Sequence, residues 1–251
     1  DQLAPSTTWQ TEADAKGFIV GCYKDLLDGN TLLYLDCGSD IGYNNFPWEG
    51  FRPWGDGSLS SSNPGQILYD YKSIRKANTF LENVDKVTFS SDAVKANYVA
   101  QAKAIRAYKY FLMNWWYGGV PIVTKVQDPV ESSFVPRSTT KACIEFICND
   151  LDIAADMLRA KTTNGGWNGD NYGRVTTASA MALKGRVLLL WASPLFNRAN
   201  DESRISKNLS KISMLAVTIF ILQAIISMVR TLPRCLLLFR IRRWYLAPCT
   251  I

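Results

Sequence analysis

Residues 106–123 read RAYKYFLMNWWYGGVPIV, and this stretch decides the fold. Its apolar positions up to Tyr117 recur at helical spacing, and Gly118-Gly119 supplies the residue type that ends a helix without a Cβ clash. Pro121 has no N–H to give a helical ladder, so the chain leaves the axis and continues as extended Val120-Pro121-Ile122-Val123. Tyr108, Tyr110, Phe111, Trp115, Trp116 and Tyr117 are more aromatic surface than one helix face hides alone, which implies a partner layer. Tyr108, Phe111, Leu112 and Trp115 fall at helical spacing and are expected in the core.

Working outward, this helix extends back to a start near Ser91-Asp92 and would span about 40 Å at 1.5 Å per residue. Upstream, a first helix opens at Thr11 with Asp14 three residues on, a variant of the capping box. It carries Ala15, Phe18, Ile19, Cys22 and Leu26. A second helix carries Ile67, Tyr71, Ile74, Leu81 and Val84. Downstream, a fourth is capped by Ser138 or Thr139 and carries Ile144, Ile147, Leu151, Ala154 and Leu158. A fifth follows Gly173-Arg174-Val175-Thr176 and stops at Ser193-Pro194, because proline restricts the residue before it. Strand alternation is nearly absent. The expected fold class is all-α, built from packed helix pairs with long irregular loops.

Composition limits the chemistry. The chain of 251 residues is 47% hydrophobic and 20% charged, the balance of a globular protein. It contains no histidine, which removes the usual general base, the commonest metal ligand and the Ser-His and Cys-His pairs. The six cysteines form no CxxC pair, and Cys143 and Cys148 point to different faces of one helix; core thiols are expected, with no metal site and no assignable disulfide. Asp152 and Asp156 share a helix face, and with Asp150 they are expected on a solvated helix rather than as an acid/base pair. No enzyme, cofactor or catalytic residue is expected.

The net charge of +6 does not signal nucleic acid. Residues 203–251 hold eight basic and no acidic side chains, which leaves 20 basic against 22 acidic, or −2, for residues 1–202. A nucleic-acid face needs cations clustered on a folded element, and the body shows none in its sequence. Within the tail, 212–229 is an uncharged run of 18 residues with positive charges on both sides. Three accounts of it stand open: a membrane-spanning anchor, a buried helix of the same fold, and a segment translated outside the original reading frame. The abrupt loss of acidic residues favours the third. The chain therefore divides into an expected helical region, 1–201, and a basic hydrophobic tail, 202–251.

Several segments together resemble the SusD/RagB family of surface lipoproteins from Bacteroidetes. They are YKSIRKANTFLENV (71–84), AIRAYKYFL (104–112), YGGVPIV (117–123), PRST (136–139), DLDIA (150–154), GRVT (173–176) and RVLLLWASPLFN (186–197). The family pattern lies in their order and spacing, over about residues 5–200. The resemblance implies tetratricopeptide-like helix pairs, non-catalytic capture of a glycan, and delivery to a SusC-like TonB-dependent transporter. It also implies an outer-membrane, cell-surface location through a lipid anchor, since DQLAPST at the start resembles the residues just after the modified cysteine of a mature member. Members are about twice this length, so the chain is expected to correspond to the first half. A helical-repeat interaction scaffold without a small ligand is the alternative, and a membrane protein anchored through 212–229 is a third.

Sugar recognition needs flat apolar surfaces for pyranose C–H faces and fixed polar groups for hydroxyls, which Trp and Tyr rings with polar neighbours provide. The irregular segment 28–65 offers both, with many Gly, Asn and Pro residues and with Tyr43, Phe46, Trp48, Phe51 and Trp54 among them, aromatics that argue against disorder. The candidate glycan contacts are Tyr43, Asn45, Trp48, Arg52, Trp54 and Asp56. A second such loop, 162–173, contains Trp167. Arg106 and Arg174 are expected to tie loops to helix ends rather than meet ligand.

Overall fold

In a computed structural model of the chain, the structure describes residues 9–26, 34–128, 134–162, 171 and 173–197. The tail 202–251 and Trp167 lie outside the described residues. The helices are α1 (Glu12–Lys24), a short α2 in the loop (Arg52–Gly55), α3 (Tyr71–Asn83), α4 (Asp92–Tyr117), α5 (Thr140–Thr162) and α6 (Thr177–Ala192). Among the described residues no strand forms; Thr11 and Thr88 make one isolated parallel bridge. The mainly helical expectation holds. The chain separates into two compact units, 1–180 and 181–251.

Local chemistry explains the helix ends of the first unit. The Thr11 hydroxyl accepts from Asp14 N at 3.3 Å while Thr11 N donates to Asp14 Oδ2 at 2.8 Å, a complete capping box. Ser91 caps α4 through Val94 N, and Thr139 caps α5 through Ala142 N. At its far end α4 stops on Gly118, whose φ of +72° penalises any residue with a Cβ. Gly119 is needed for a different reason: a Cβ there would lie 2.0 Å from Ser138 O. Arg137 then donates to the carbonyls of Tyr117 and Gly119, closing the helix end.

The core has α4 at its centre, packed against α5, α3 and α1. One cluster joins Trp9, Ala15, Ile19, Phe80, Val84, Val87 and Ala102, with Phe18 against it. On the other side Ala100, Ala104, Ala154 and Leu158 let α4 and α5 approach closely. Buried Ile144, Ile147 and Leu151 complete the expected stripe of α5. Cys22 and Cys143 are buried, and burial pushes the Cys22 thiol up to about 11, the state of an inert core thiol.

Four expectations need correction. Trp115 is 40% exposed and Tyr108 half-buried, although Phe111 and Leu112 are buried as expected. Residues 115–117 step by about 100° each around the axis, so three consecutive aromatics cannot share one core face. Ile67 is exposed and precedes α3, which begins only after the Asp70 cap. Asp150 is 1% exposed rather than solvated, because it lies three residues from Ile147 and four from Ala154, on the apolar stripe itself. Arg106 does not tie a loop: its Nε and Nη2 grip Asp150 at 2.8 and 3.0 Å, and its Nη1 donates to Asn78 Oδ1 at 2.8 Å. It links α3, α4 and α5 and lies over the Phe146 ring. Arg174 does link a loop to a helix, donating to Gln101 on α4.

The second unit, within the described residues, comprises most of α6 and the turn 193–197. Ser193 closes the helix by donating from its hydroxyl to Leu190 O, and the Trp191 and Phe196 rings lie 6.1 Å apart.

Candidate functional site

The segment between α1 and α3 is assembled from tight turns. Phe46 N donates to Glu49 Oε2 at 2.9 Å, and Arg52 N donates to Glu49 O. These turns bring the chain into α2, where Pro53 near the start suits a first helical turn. The Phe46 and Trp48 rings are stacked at 4.8 Å with only 10° between their planes. Trp48 is 78% exposed, so the stack presents a flat apolar surface to solvent.

Polar groups converge close by. Arg52 Nη1 donates to Asn45 O at 2.6 Å, its Nε donates to Asp56 Oδ2 at 3.1 Å, and its guanidinium lies 5.0 Å from the centre of the exposed Tyr43 ring. Hydrogen bonds from Ser58, followed by that from Arg52, hold the Asp56 carboxyl below the usual carboxylate range. Tyr43, Asn45, Arg52 and Asp56 are thus one contiguous group, as expected from their closeness in sequence. The structure brings Phe46, which was not among the candidates, into the stack with Trp48.

Trp54 occupies a different environment. It is half-buried, edge-on to Trp116 at 5.1 Å and near Phe51 at 6.1 Å. Gly65, with φ of +66°, passes so close that a Cβ would come within 2.6 Å of the indole nitrogen. Trp54 therefore fastens the loop to the end of α4. A neighbouring edge formed by Tyr69 and Tyr117 is also partly exposed, with the two rings edge-to-face at 5.3 Å and Leu68 N donating to the Tyr117 hydroxyl. The signal for it was the run Trp115-Trp116-Tyr117, whose angular spread requires one ring to face outward.

Among the described residues no group of three or more acidic, cysteine or histidine side chains could hold a metal. No described helix is long and apolar enough to cross a membrane, and 212–229 lies outside the described residues.

A family model for SusD-like proteins, described as starch-binding and associating with the outer membrane, matches residues 63–189. The chain belongs to the SusD-like family. SusD-like proteins are carbohydrate-binding and non-catalytic, and the family is associated with the outer membrane. Similarity to a SusD-like protein of Formosa agariphila is 27% identity over 170 residues, covering 61% of this chain and 32% of that protein. A solved SusD-like protein from Bacteroides fragilis superposes with a TM-score of 0.66 at 24% identity, over 84% of this chain and 40% of that one. A SusD-like carbohydrate-binding protein from the same species gives 0.65 at 21%, over 83% and 41%. The SusD-like chain thus spans about a third of that relative and two fifths of those structures. The family match begins at residue 63, so the six candidate residues precede it.

Proposed function

We propose that this chain is part of a surface glycan-binding protein that captures oligosaccharide or polysaccharide and passes it to a SusC-like TonB-dependent transporter in the outer membrane. Binding would raise the local ligand concentration at the transporter mouth, and movement of one partner over the other would gate entry. A lipid anchor, which such members carry, would hold the protein at the cell surface. The observation that carries this proposal is the exposed Phe46–Trp48 stack beside the Tyr43–Arg52–Asp56 group. A stacked ring face takes the C–H side of a pyranose, and the fixed polar edge takes its hydroxyls.

In this arrangement Trp48 and Phe46 are the platform, Tyr43 flanks it, and Arg52, Asp56 and the Asn45 side chain orient hydroxyls. Trp54 fastens the loop to the end of α4. The test is retention on affinity gels containing neutral polysaccharides such as laminarin and starch. Trp48→Ala with Phe46→Ala is expected to abolish retention while circular dichroism stays unchanged, because both rings are exposed. Unchanged retention would remove the loop as the binding site.

A further inference from the structure

After Pro121 the chain runs extended beside α3 without a strand partner among the described residues, yet it is firmly braced. The Tyr71 hydroxyl donates to Pro121 O at 2.5 Å, and Asn78 Nδ2 donates to Val123 O at 2.9 Å. Tyr110 and Val123 exchange two hydrogen bonds, of 2.7 and 3.0 Å. Arg75 Nη1 donates to Gln127 O at 2.8 Å, and Val126 N donates to Glu82 Oε1 at 2.7 Å. Between α3 and this fixed wall lies a groove of about 290 Å³. Such a volume lies just below the range for drug-sized ligands, roughly 300–1,000 Å³, and limits an occupant to about one sugar unit.

The lining is divided by chemistry. Tyr71, Ile74 and Val123 are buried or half-buried and form an apolar base, whereas Lys72, Arg75 and Lys125 are exposed. None of the described lining residues is acidic. The carboxylates on the same two elements, Glu82 and Asp128, lie outside the lining, and Glu82 already accepts from Val126 N. Lys72 and Lys125 enter no ion pair among the described residues. Residues 1–202 carry a net −2, so three cations around one groove are a local concentration of charge, not a share of a general excess.

We propose that this groove is a second saccharide subsite, selective for an anionic sugar: a pyranose bearing a carboxylate or a sulfate ester. The apolar base takes the ring's C–H face, and Lys72, Arg75 and Lys125 take the anion. The wall is preorganised by its hydrogen bonds, so little ordering cost is added on binding. The proposal rests on the ligand being a glycan, but not on the Phe46–Trp48 platform.

The basic tail would also attract polyanions, so the test compares variants of the whole 251-residue chain. Oligogalacturonate, sulfated dextran oligomers, neutral dextran oligomers and inorganic sulfate are titrated calorimetrically against the parent, Lys72→Gln/Lys125→Gln, and Trp48→Ala. The lysine pair is exposed, so its replacement leaves the helical content unchanged. Losing two exposed charge contacts should weaken an acidic oligomer about five- to tenfold, with neutral oligomers unaffected. Preference between oligogalacturonate and sulfated dextran distinguishes the carboxylate from the sulfate ester. Unchanged acidic binding in the lysine variant, or no acidic binding by the parent, overturns the groove. Equal competition by inorganic sulfate overturns the saccharide part. Loss of neutral binding only in Trp48→Ala supports the loop platform whatever the groove does, which keeps the two failures apart.

Discussion

Two stretches of irregular backbone, one before α3 and one after α4, are held by opposite means. The loop 43–63 is closed almost wholly by bonds between near neighbours, from Ser58–Asp56 two residues apart to Arg52–Asn45 seven apart. The segment 120–127 is held by side chains 13 to 52 positions away, from Tyr110 to Arg75. Local bonds need little from the rest of the fold, so that loop can expose Trp48 and still keep its shape. Long-range bonds exist only in the folded core, so the later segment is a structural wall. The two regions teach that the exposed aromatic loop and the braced backbone are separate constructions, the loop being fastened through Trp54 against Trp116.

Variants at the braced end should break this contrast most. Asp150→Ala removes the carboxylate that Arg106 grips and leaves a buried guanidinium without its counter-charge. The expected loss is about 3–5 kcal/mol, read as a large fall in the denaturation midpoint. A loss near zero would mean that Arg106 is not committed to the core. Gly119→Ala comes next: the added methyl meets Ser138 O, and the backbone must shift at a cost of about 1–3 kcal/mol. A neutral outcome by thermal melting would show that the turn after α4 yields more easily than its close contacts imply.

A smaller effect is expected at Asp70, the α3 cap. Burial pushes its carboxyl up, but hydrogen bonds from Ser73 and then from Lys109 outweigh that and hold it below its ordinary value. A depressed folded pKa stabilises above the unfolded value near 4 and is lost as pH falls through the folded value. The melting difference between the parent and Asp70→Asn should therefore be present at about pH 6 and shrink at about pH 3 and below. A difference independent of pH would assign the cap to geometry and not to charge. Smallest of all, Trp48→Ala should leave stability within about 0.5 kcal/mol, since most of its ring is in solvent. A marked loss would make the platform part of the core after all.

Much of the helical framework was legible in residue order. The capping box at Thr11, the Ser91 start and the Gly118 stop each follow from local chemistry, and the structure places these ends where those residues stand. The stripe Ile144, Ile147, Leu151, Ala154 and Leu158 was equally plain, because one apolar face is a property of spacing alone. Asp150 lies on that stripe by spacing, yet its charge argues for solvent. Arg106 and Lys103, both on another helix, reverse that argument. Tyr43, Asn45, Arg52 and Asp56 were legible as a group because they are close in sequence. The stacking of Phe46 on Trp48 and the withdrawal of Trp54 were not, since ring orientation depends on turns and on Trp116, far along the chain.

The sequence by itself determined the helix starts at Thr11 and Ser91, the stop at Gly118, the stripe of α5 and the family resemblance, since each is written in residues a few positions apart. Tertiary structure alone decided which aromatics face solvent, how Arg106 binds three helices together, and that Lys72, Arg75 and Lys125 share one groove. The physical reason is range. Capping and periodicity act within a turn or two, whereas these placements depend on pairings far apart in the chain that exist only once the helices have packed.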